Sequence, residues 1–282
     1  MKLLVDVGNS RIKWAFGGAG GLLAEGEALR DDETVVRAIL ESGRSPDDIR
    51  ISNVAGADAG ARIAASLEEH FHVAPVFASS AATGAGVRNG YVDSRKLGVD
   101  RWLAICAAFA RYRAPVCVVD AGTATTIDLV TGGGEHQGGL ILPGIDLMQS
   151  ALWRGTGDLA RLSGATGGHF VGEQWPGMAA DPVESRIWLG RDTAAAIGNG
   201  ALQATVSLIR ACIDEFTTQS SMGATPPALI VTGGSGPALQ AELLRGSGKP
   251  GAAPAARFRT ELRPQLVLEG LALDPLCFRV DR

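Results

Sequence analysis

The chain has 282 residues and a mass of 29.1 kDa, 46% hydrophobic and 20% charged. That is enough apolar material for one large or two ordinary domains, and it excludes wholesale disorder. The 26 basic and 30 acidic residues leave a net charge of −4 and a pI near 5.6, so the basic footprint of a general nucleic-acid binder is missing. The longest apolar run, Trp102 to Ala110 between Arg101 and Arg111, is far too short to span a bilayer, so no membrane association is expected. Asp6 interrupts any leader-like start. Cys106, Cys117, Cys212 and Cys277 form no CxxC pair and read as reduced, largely buried thiols, which fits a cytoplasmic protein. Glycine is the unusual component: 38 residues, well above the usual share of about 7%.

The elements follow in chain order. Leu3 to Val7, a Gly8-Asn9 turn and the alternating Arg11 to Phe16 read as a β-hairpin, with a third strand over Leu22 to Ala28. A helix starts at Asp31 or Asp32, with Val35, Val36, Ile39 and Leu40 at helical spacing. Then come a strand (Ile49 to Val54), a helix (Ala59 to His70), a strand (Val73 to Phe77), a glycine-bearing loop (Thr83 to Gly90) and a helix (Asp100 to Tyr112) broken by Pro115. The pattern restarts there. Val116 to Asp120, a Gly122-Thr123 turn and Thr125 to Val130 repeat the opening hairpin, and Asp6 and Asp120 stand 114 residues apart. Such a repeat points to two duplicated domains, 1–114 and 115–282. The second adds a strand near Gln137 to Leu142 and a helix from Gly144 to Trp153. A long helical region from Pro182 to Phe216 follows, in which Gly190, Gly198 and Gly200 mark a break or close packing. A buried strand (Ala228 to Thr232), helices near Pro237 to Leu244 and Pro264 to Leu273, and a mobile loop over Gly246 to Ala256 complete the chain.

The chemistry concentrates in the two Asp-x-Gly hairpins. A glycine turn between strands lets backbone N–H groups meet phosphate oxygens, and an Asp at the strand end can hold hydrated Mg²⁺ against them. Asn9, Ser10, Lys13, Thr123 and Thr125 add side-chain donors. In Ile230-Val231-Thr232-Gly233-Gly234-Ser235-Gly236, a buried strand enters a glycine pair, where backbone can approach a flat ring such as adenine. Gly246-Ser247-Gly248-Lys249 is not a Walker A loop, because the first glycine is missing and Pro250 stands where Ser or Thr belongs. The histidines His70, His72, His136 and His169 lack metal-ligand spacing.

The three glycine motifs in this order resemble the acetate/sugar kinase, Hsp70 and actin superfamily. Within it, Asp6-Val7-Gly8-Asn9-Ser10-Arg11-Ile12-Lys13, Gly98-Val99-Asp100-Arg101, Asp120 through Asp128, Gly138-Gly139-Leu140-Ile141-Leu142-Pro143-Gly144 and Leu266-Val267-Leu268-Glu269-Gly270-Leu271 resemble the motifs of type III pantothenate kinases across nearly the whole chain. The resemblance implies an α/β fold of two duplicated actin/ribonuclease-H-like domains with a nucleotide cleft between them. It implies ATP-dependent phosphorylation of pantothenate to 4'-phosphopantothenate, with Mg²⁺ and a monovalent cation (K⁺ or NH₄⁺), by a homodimer. It also implies site roles. Asp100 is the proton acceptor; Tyr91, Gly98, Val99, Asp100, Arg101 and Thr193 bind pantothenate; Asp6 to Lys13 and Thr123 bind ATP. Asp120 holds the monovalent cation, and Asp6 holds Mg²⁺ directly or through water. On elementary grounds a carboxylate of ordinary pKa at Asp100 can orient an alcohol and take its proton late, and the Arg101 fork suits a carboxylate. Two alternatives are a sugar or acetate kinase of the same superfamily and a non-catalytic transcriptional accessory factor. Against the second, the chain keeps both Asp6 and Asp100.

Overall fold

The computed structural model describes residues 1–18, 21–29, 32–155, 189–218, 227–245, 259–273 and 277–281. Contacts divide the chain into two compact units: Met1–Val116 with Asp128–Gly138 and Gln265–Arg282, and Cys117–Ile127 with Gly139–Pro264. The leading run of the first unit ends close to the expected 114/115 boundary. The second stretch, 115–282, is not one unit, because its C-terminal elements pack on the sheet built by the first.

That sheet starts with β1 (Lys2–Val7), β2 (Arg11–Gly18) and β3 (Gly21–Leu29), an antiparallel meander. Leu3, Leu4 and Val5 are all fully buried, as expected of a strand covered on both faces. Helix α1 (Asp32–Glu41) leads to β4 (Asp48–Asn53), which returns parallel to β1. Helix α2 (Ala57–Phe71) leads to β5 (Val76–Ser79), again parallel. Leu3, Val5, Val7, Trp14 and Phe16 form a core with Val35 and Ile39 of α1 and Ile63 and Leu67 of α2. Strand β5 starts three residues later than the sequence pattern indicates. α2 ends on His72 in the left-handed region, and Pro75 has no N–H to give a ladder. The expected loop at Thr83–Gly90 contains a two-residue hairpin, β6 (Thr83–Gly84) with β7 (Val87–Arg88).

Helix α3 (Val99–Tyr112) is buried from Arg101 to Phe109. In the second sheet, β8 (Val116–Ala121), β9 (Ala124–Val130) and β10 (His136–Pro143) are followed by α4 (Ile145–Gly155), α5 (Thr193–Thr218), β11 (Ala228–Thr232), α6 (Gly236–Arg245) and β12 (Arg259–Leu262). Gly198 and Gly200 lie inside an unbroken α5, with open space where a Cβ would stand. The N-terminal part of the expected helical region, up to residue 188, and the loop at 246–256 lie outside the described residues. The strand orders agree: β3-β2-β1-β4-β5 in one sheet and β10-β9-β8-β11-β12 in the other, so the 114-residue repeat corresponds to a repeated topology.

The chain then returns to the first unit. α7 (Leu266–Ala272) packs on α3, β1, β2 and β4, and β13 (Arg279–Asp281) adds antiparallel to β5. Arg50 of β4, almost fully buried, donates to the carbonyls of Leu271 (2.8 Å) and Leu273 (3.2 Å), and so satisfies the end of α7. A Cβ on Gly270 would run into the backbone carbonyl of Leu103 on α3. Gly270→Ala is therefore expected to destabilise by about 1–3 kcal/mol through overpacking. Thermal melting checks this, and a variant that melts with the wild type contradicts the close approach.

Candidate active site

The motif Gly98-Val99-Asp100-Arg101 forms the first turn of α3. The Gly98 carbonyl accepts from the Trp102 N–H at 3.0 Å, and a Cβ on Gly98 would lie 2.6 Å from Asp100 Oδ1. Asp100 Oδ1 also accepts the Arg101 N–H at 2.8 Å, which places a carboxylate at the positive end of the helix. Burial pushes the Asp100 carboxyl above the usual carboxylate range; the Arg101 amide and guanidinium pull it down, and the nearby Asp128 adds to the rise. The Asp100 carboxyl is therefore not of the ordinary pKa that its residue type alone suggests: desolvation of the charged form outweighs the hydrogen bond.

Arg101 is only 7% exposed. Its Nε donates to Asp128 Oδ2 at 2.9 Å and its Nη2 to Asp128 Oδ1 at 2.7 Å, while Nη1 donates to the Tyr91 hydroxyl at 2.7 Å. Burial alone would lower the guanidinium pKa, but Asp128 and Tyr91 more than reverse this. The guanidinium also lies over the Tyr91 ring, 5.5 Å from its centroid. The two-pronged edge that the sequence reading offers to a substrate carboxylate is therefore taken by Asp128. What remains for a ligand is the Nη1 side, next to Tyr91.

Asp128 also meets His136 Nε2 at 3.0 Å. His136 is fully buried at its side chain, and its ring stacks on Tyr91 with centroids 6.1 Å apart and planes 10° apart. Asp128 and His136 are the members that the sequence reading did not assign. The signal was present for Asp128, a charged residue in the apolar strand Thr126-Ile127-Asp128-Leu129-Val130 that needs a buried partner. Its partner stands 27 residues away, which no local pattern reveals.

The first hairpin holds Asp6 opposite Lys13 and beside Ser52 of β4. Its turn is closed by the Gly8 N–H donating to the Arg11 carbonyl at 3.0 Å, and Asn9 and Ser10 are exposed. The Arg11 guanidinium is drawn sideways to Glu27 at 2.9 Å. The Ser52 side chain is fully buried, and its hydroxyl has no hydrogen-bond partner. In the second hairpin the Gly122 N–H donates to the Ala124 carbonyl at 3.1 Å, and the Gly144 N–H to the Thr123 carbonyl at 2.9 Å. Gly233, at φ +87°, leaves room for a Cβ only 2.5 Å from Ala121 backbone and Asp120 Oδ1, so only glycine fits. The turn at Asp120–Thr123 is thus wedged between Gly144 and Gly233. A Cβ on either glycine would run into this backbone. Thr123 is exposed at the tip. Thr193, in the second unit, is the first residue of α5. Asp192 caps that helix through Ala195 N–H at 2.8 Å, and Thr193 lines an apolar cavity of about 810 Å³ with Met148, Leu152 and Ile197.

The sequence model of the type III pantothenate kinase family matches residues 2–215. The chain belongs to the type III pantothenate kinase family. Curated relatives carrying that name include proteins of Nitrosococcus oceani (31% identical, 96% of this chain and 92% of the relative) and Alcanivorax borkumensis (34% identical, 96% and 97%). Another, from Aromatoleum aromaticum, is 40% identical over 66% of this chain and 74% of its own length. Two solved structures share the fold. One is assigned as a Baf family transcriptional activator from Campylobacter jejuni (TM-score 0.54, 17% identity, 95% and 94% covered). The other is assigned as a 2-dehydro-3-deoxygalactonokinase from Sinorhizobium meliloti (TM-score 0.55, 14% identity, 96% and 97% covered). With the repeated strand order, these establish the α/β fold of duplicated actin/ribonuclease-H-like domains, and the family brings ATP and divalent-metal use.

A native pKa raised above about 3.9 means that the folded chain holds the Asp100 proton more tightly than the unfolded chain. The group therefore costs stability at pH values above its native pKa and nothing below the unfolded value. Asp100→Asn keeps the acceptor for the Arg101 N–H and removes the charge, so it should melt higher than the wild type at pH 7 to 8. The gap should close as the pH falls toward 4. Equal melting at neutral pH would contradict the desolvated carboxylate.

Proposed function

We propose that the protein transfers the γ-phosphoryl group of ATP to the primary hydroxyl of pantothenate, giving 4'-phosphopantothenate and ADP, the first step toward coenzyme A. Membership of the family, through the match over residues 2–215, carries this reading. The hydroxyl oxygen attacks the γ-phosphorus as the bond to the β,γ-bridging oxygen breaks. Asp100 orients the hydroxyl and takes its proton. A pKa raised by burial brings this carboxylate closer to working pH, which favours a general base. Tyr91, Gly98, Val99, Arg101 and Thr193 are the other pantothenate contacts in this reading.

Residues Asp6 to Lys13 hold the phosphates: Gly8 allows the tight turn, Lys13 supplies charge, and Thr123 contacts ATP from the second hairpin. Among the described residues no group of three or more His, Cys, Asp or Glu stands together as a metal site. A metal held by one carboxylate, a hydroxyl, water and phosphate oxygens suits Mg²⁺, which keeps several waters. Asp6 and the buried Ser52 hydroxyl match that donor set. Mg²⁺ bound there would neutralise charge developing on the phosphates. Asp120 would hold the monovalent cation, K⁺ or NH₄⁺. The exposed apolar side chains Leu147 and Leu152 of α4, the second of which lines the same cavity as Thr193, suit a homodimer contact. No helix among the described residues is long and apolar enough to cross a membrane. The proposed place of the reaction is the cytoplasm, which suits four free cysteines.

Purified protein should form ADP in a reaction dependent on pantothenate, Mg²⁺ and K⁺ or NH₄⁺. A panel with acetate and sugars as acceptors tests the alternative: turnover of a sugar and not pantothenate overturns the proposal. Asp100→Ala should lower kcat by about 10²- to 10⁴-fold with ATP binding retained. A fully active variant would remove Asp100 from the base role.

A further inference from the structure

Tyr91, Arg101, Asp128, His136 and Gly90 form a closed ring of hydrogen bonds. Arg101 joins Tyr91 to Asp128 through Nη1, Nε and Nη2. Asp128 joins His136 through Oδ1. The ring closes because the Gly90 N–H donates to His136 Nδ1 at 3.3 Å, and Gly90 precedes Tyr91 in the chain. Polarity fixes the tautomer: Nδ1 accepts from an amide, so Nε2 carries the proton and donates to Asp128. Asp128 is 1% exposed and His136 3%, so no solvent competes for these bonds. Asn89 reinforces the same loop, its Oδ1 accepting the Tyr91 N–H at 3.0 Å and its Nδ2 donating to the Ala81 and Ser94 carbonyls.

The ring has a direction. Asp128 accepts from both Arg101 and His136, and Arg101 in turn donates to the Tyr91 oxygen. The hydroxyl hydrogen of Tyr91 remains to be given to something else, as does the second hydrogen on Arg101 Nη1. Charge on Asp128 strengthens the donors through the chain, and the bidentate pair leaves Arg101 one rotamer. His136 fixes the loop from the other side, through the stacked ring and the Gly90 amide.

We propose that Asp128 and His136 are positioning residues, which hold Tyr91 and Arg101 as a preformed donor pair for the oxygen atoms of the phosphoryl acceptor. This rests on the reading of Tyr91 and Arg101 as acceptor-site residues. Neither Asp128 nor His136 need touch the substrate.

The test compares Asp128→Asn and His136→Phe with the wild-type protein in steady-state kinetics for each substrate. Asp128→Asn leaves a neutral partner that can accept only one of the two Arg101 bonds. The KM for pantothenate should rise by about tenfold to a hundredfold, the cost of misplacing a binding group by about an ångström, with the KM for ATP within twofold of wild type. His136→Phe keeps a flat ring against Tyr91 and loses both hydrogen bonds, so the same split should appear, smaller. The chain has two tyrosines, so tyrosine labelled with ¹³C at Cζ gives two resonances. Asp128→Asn should move the Tyr91 resonance and leave that of Tyr112 in place. An unchanged pantothenate KM in a folded Asp128→Asn variant, or an unmoved Tyr91 resonance, overturns the proposal. Should Asp128→Asn fail to fold, His136→Phe decides by the same KM criterion. Should the wild-type protein turn over a different acceptor, the reading of the substrate falls. The Tyr91 resonance and the KM for that acceptor then decide the positioning role alone.

Discussion

The candidate acceptor site depends on one buried ion pair, Arg101 with Asp128. Two bonds of 2.9 and 2.7 Å tie the guanidinium to the carboxylate, and both side chains are almost wholly out of water. Removing charges from water is costly, so such a pair contributes little net stability compared with apolar residues of the same shape. Breaking one side of it is another matter, because it strands a buried charge. The pair therefore makes sense as a device for geometry. It sets the first turn of α3, on which Asp100 sits, and through Nη1 it sets Tyr91. It also keeps the neighbourhood of Asp100 close to neutral, so that desolvation dominates the carboxyl and raises its pKa.

A second constraint is backbone crowding around the Asp-x-Gly turns. The first is a hairpin closed by its own Gly8 amide, with Asn9 and Ser10 exposed at the tip. The second is held from outside as well, by Gly144 and Gly233 pressed against Gly122, Thr123, Ala121 and Asp120. Packing of this kind pre-organises a turn without a large side chain, which suits the phosphate-binding role proposed for it, since electrostatic catalysis of phosphoryl transfer is chiefly a matter of fixed donors. A glycine excess can thus serve rigidity rather than looseness.

Much of this was legible in the sequence, for physical reasons that differ by element. The two hairpins and α3 are local: alternation, a glycine turn and helical spacing suffice, and the repeat of Asp-x-Gly carries through to the same strand order in both sheets. The C-terminal return was not legible. The sequence reading finds α7 but not that Gly270 lets it lie against Leu103, nor that β13 extends the first sheet, because both depend on partners more than 150 residues away. A glycine in a sequence shows freedom of approach and not what approaches, so the pressing of Gly144 and Gly233 on the second turn is invisible there. For the same reason the Arg101 fork looks open to a substrate carboxylate in the sequence. Only the structure shows that Asp128 occupies its fork.

A structure of the complex with pantothenate and a non-hydrolysable ATP analogue tests the account most directly. The account predicts an Asp100 carboxylate oxygen within about 3.2 Å of the primary hydroxyl of pantothenate, with Tyr91 and the Nη1 side of Arg101 donating to the same molecule while Asp128 keeps its two bonds to Arg101. A bound pantothenate whose hydroxyl meets another carboxylate, with Asp100 out of reach, would contradict it.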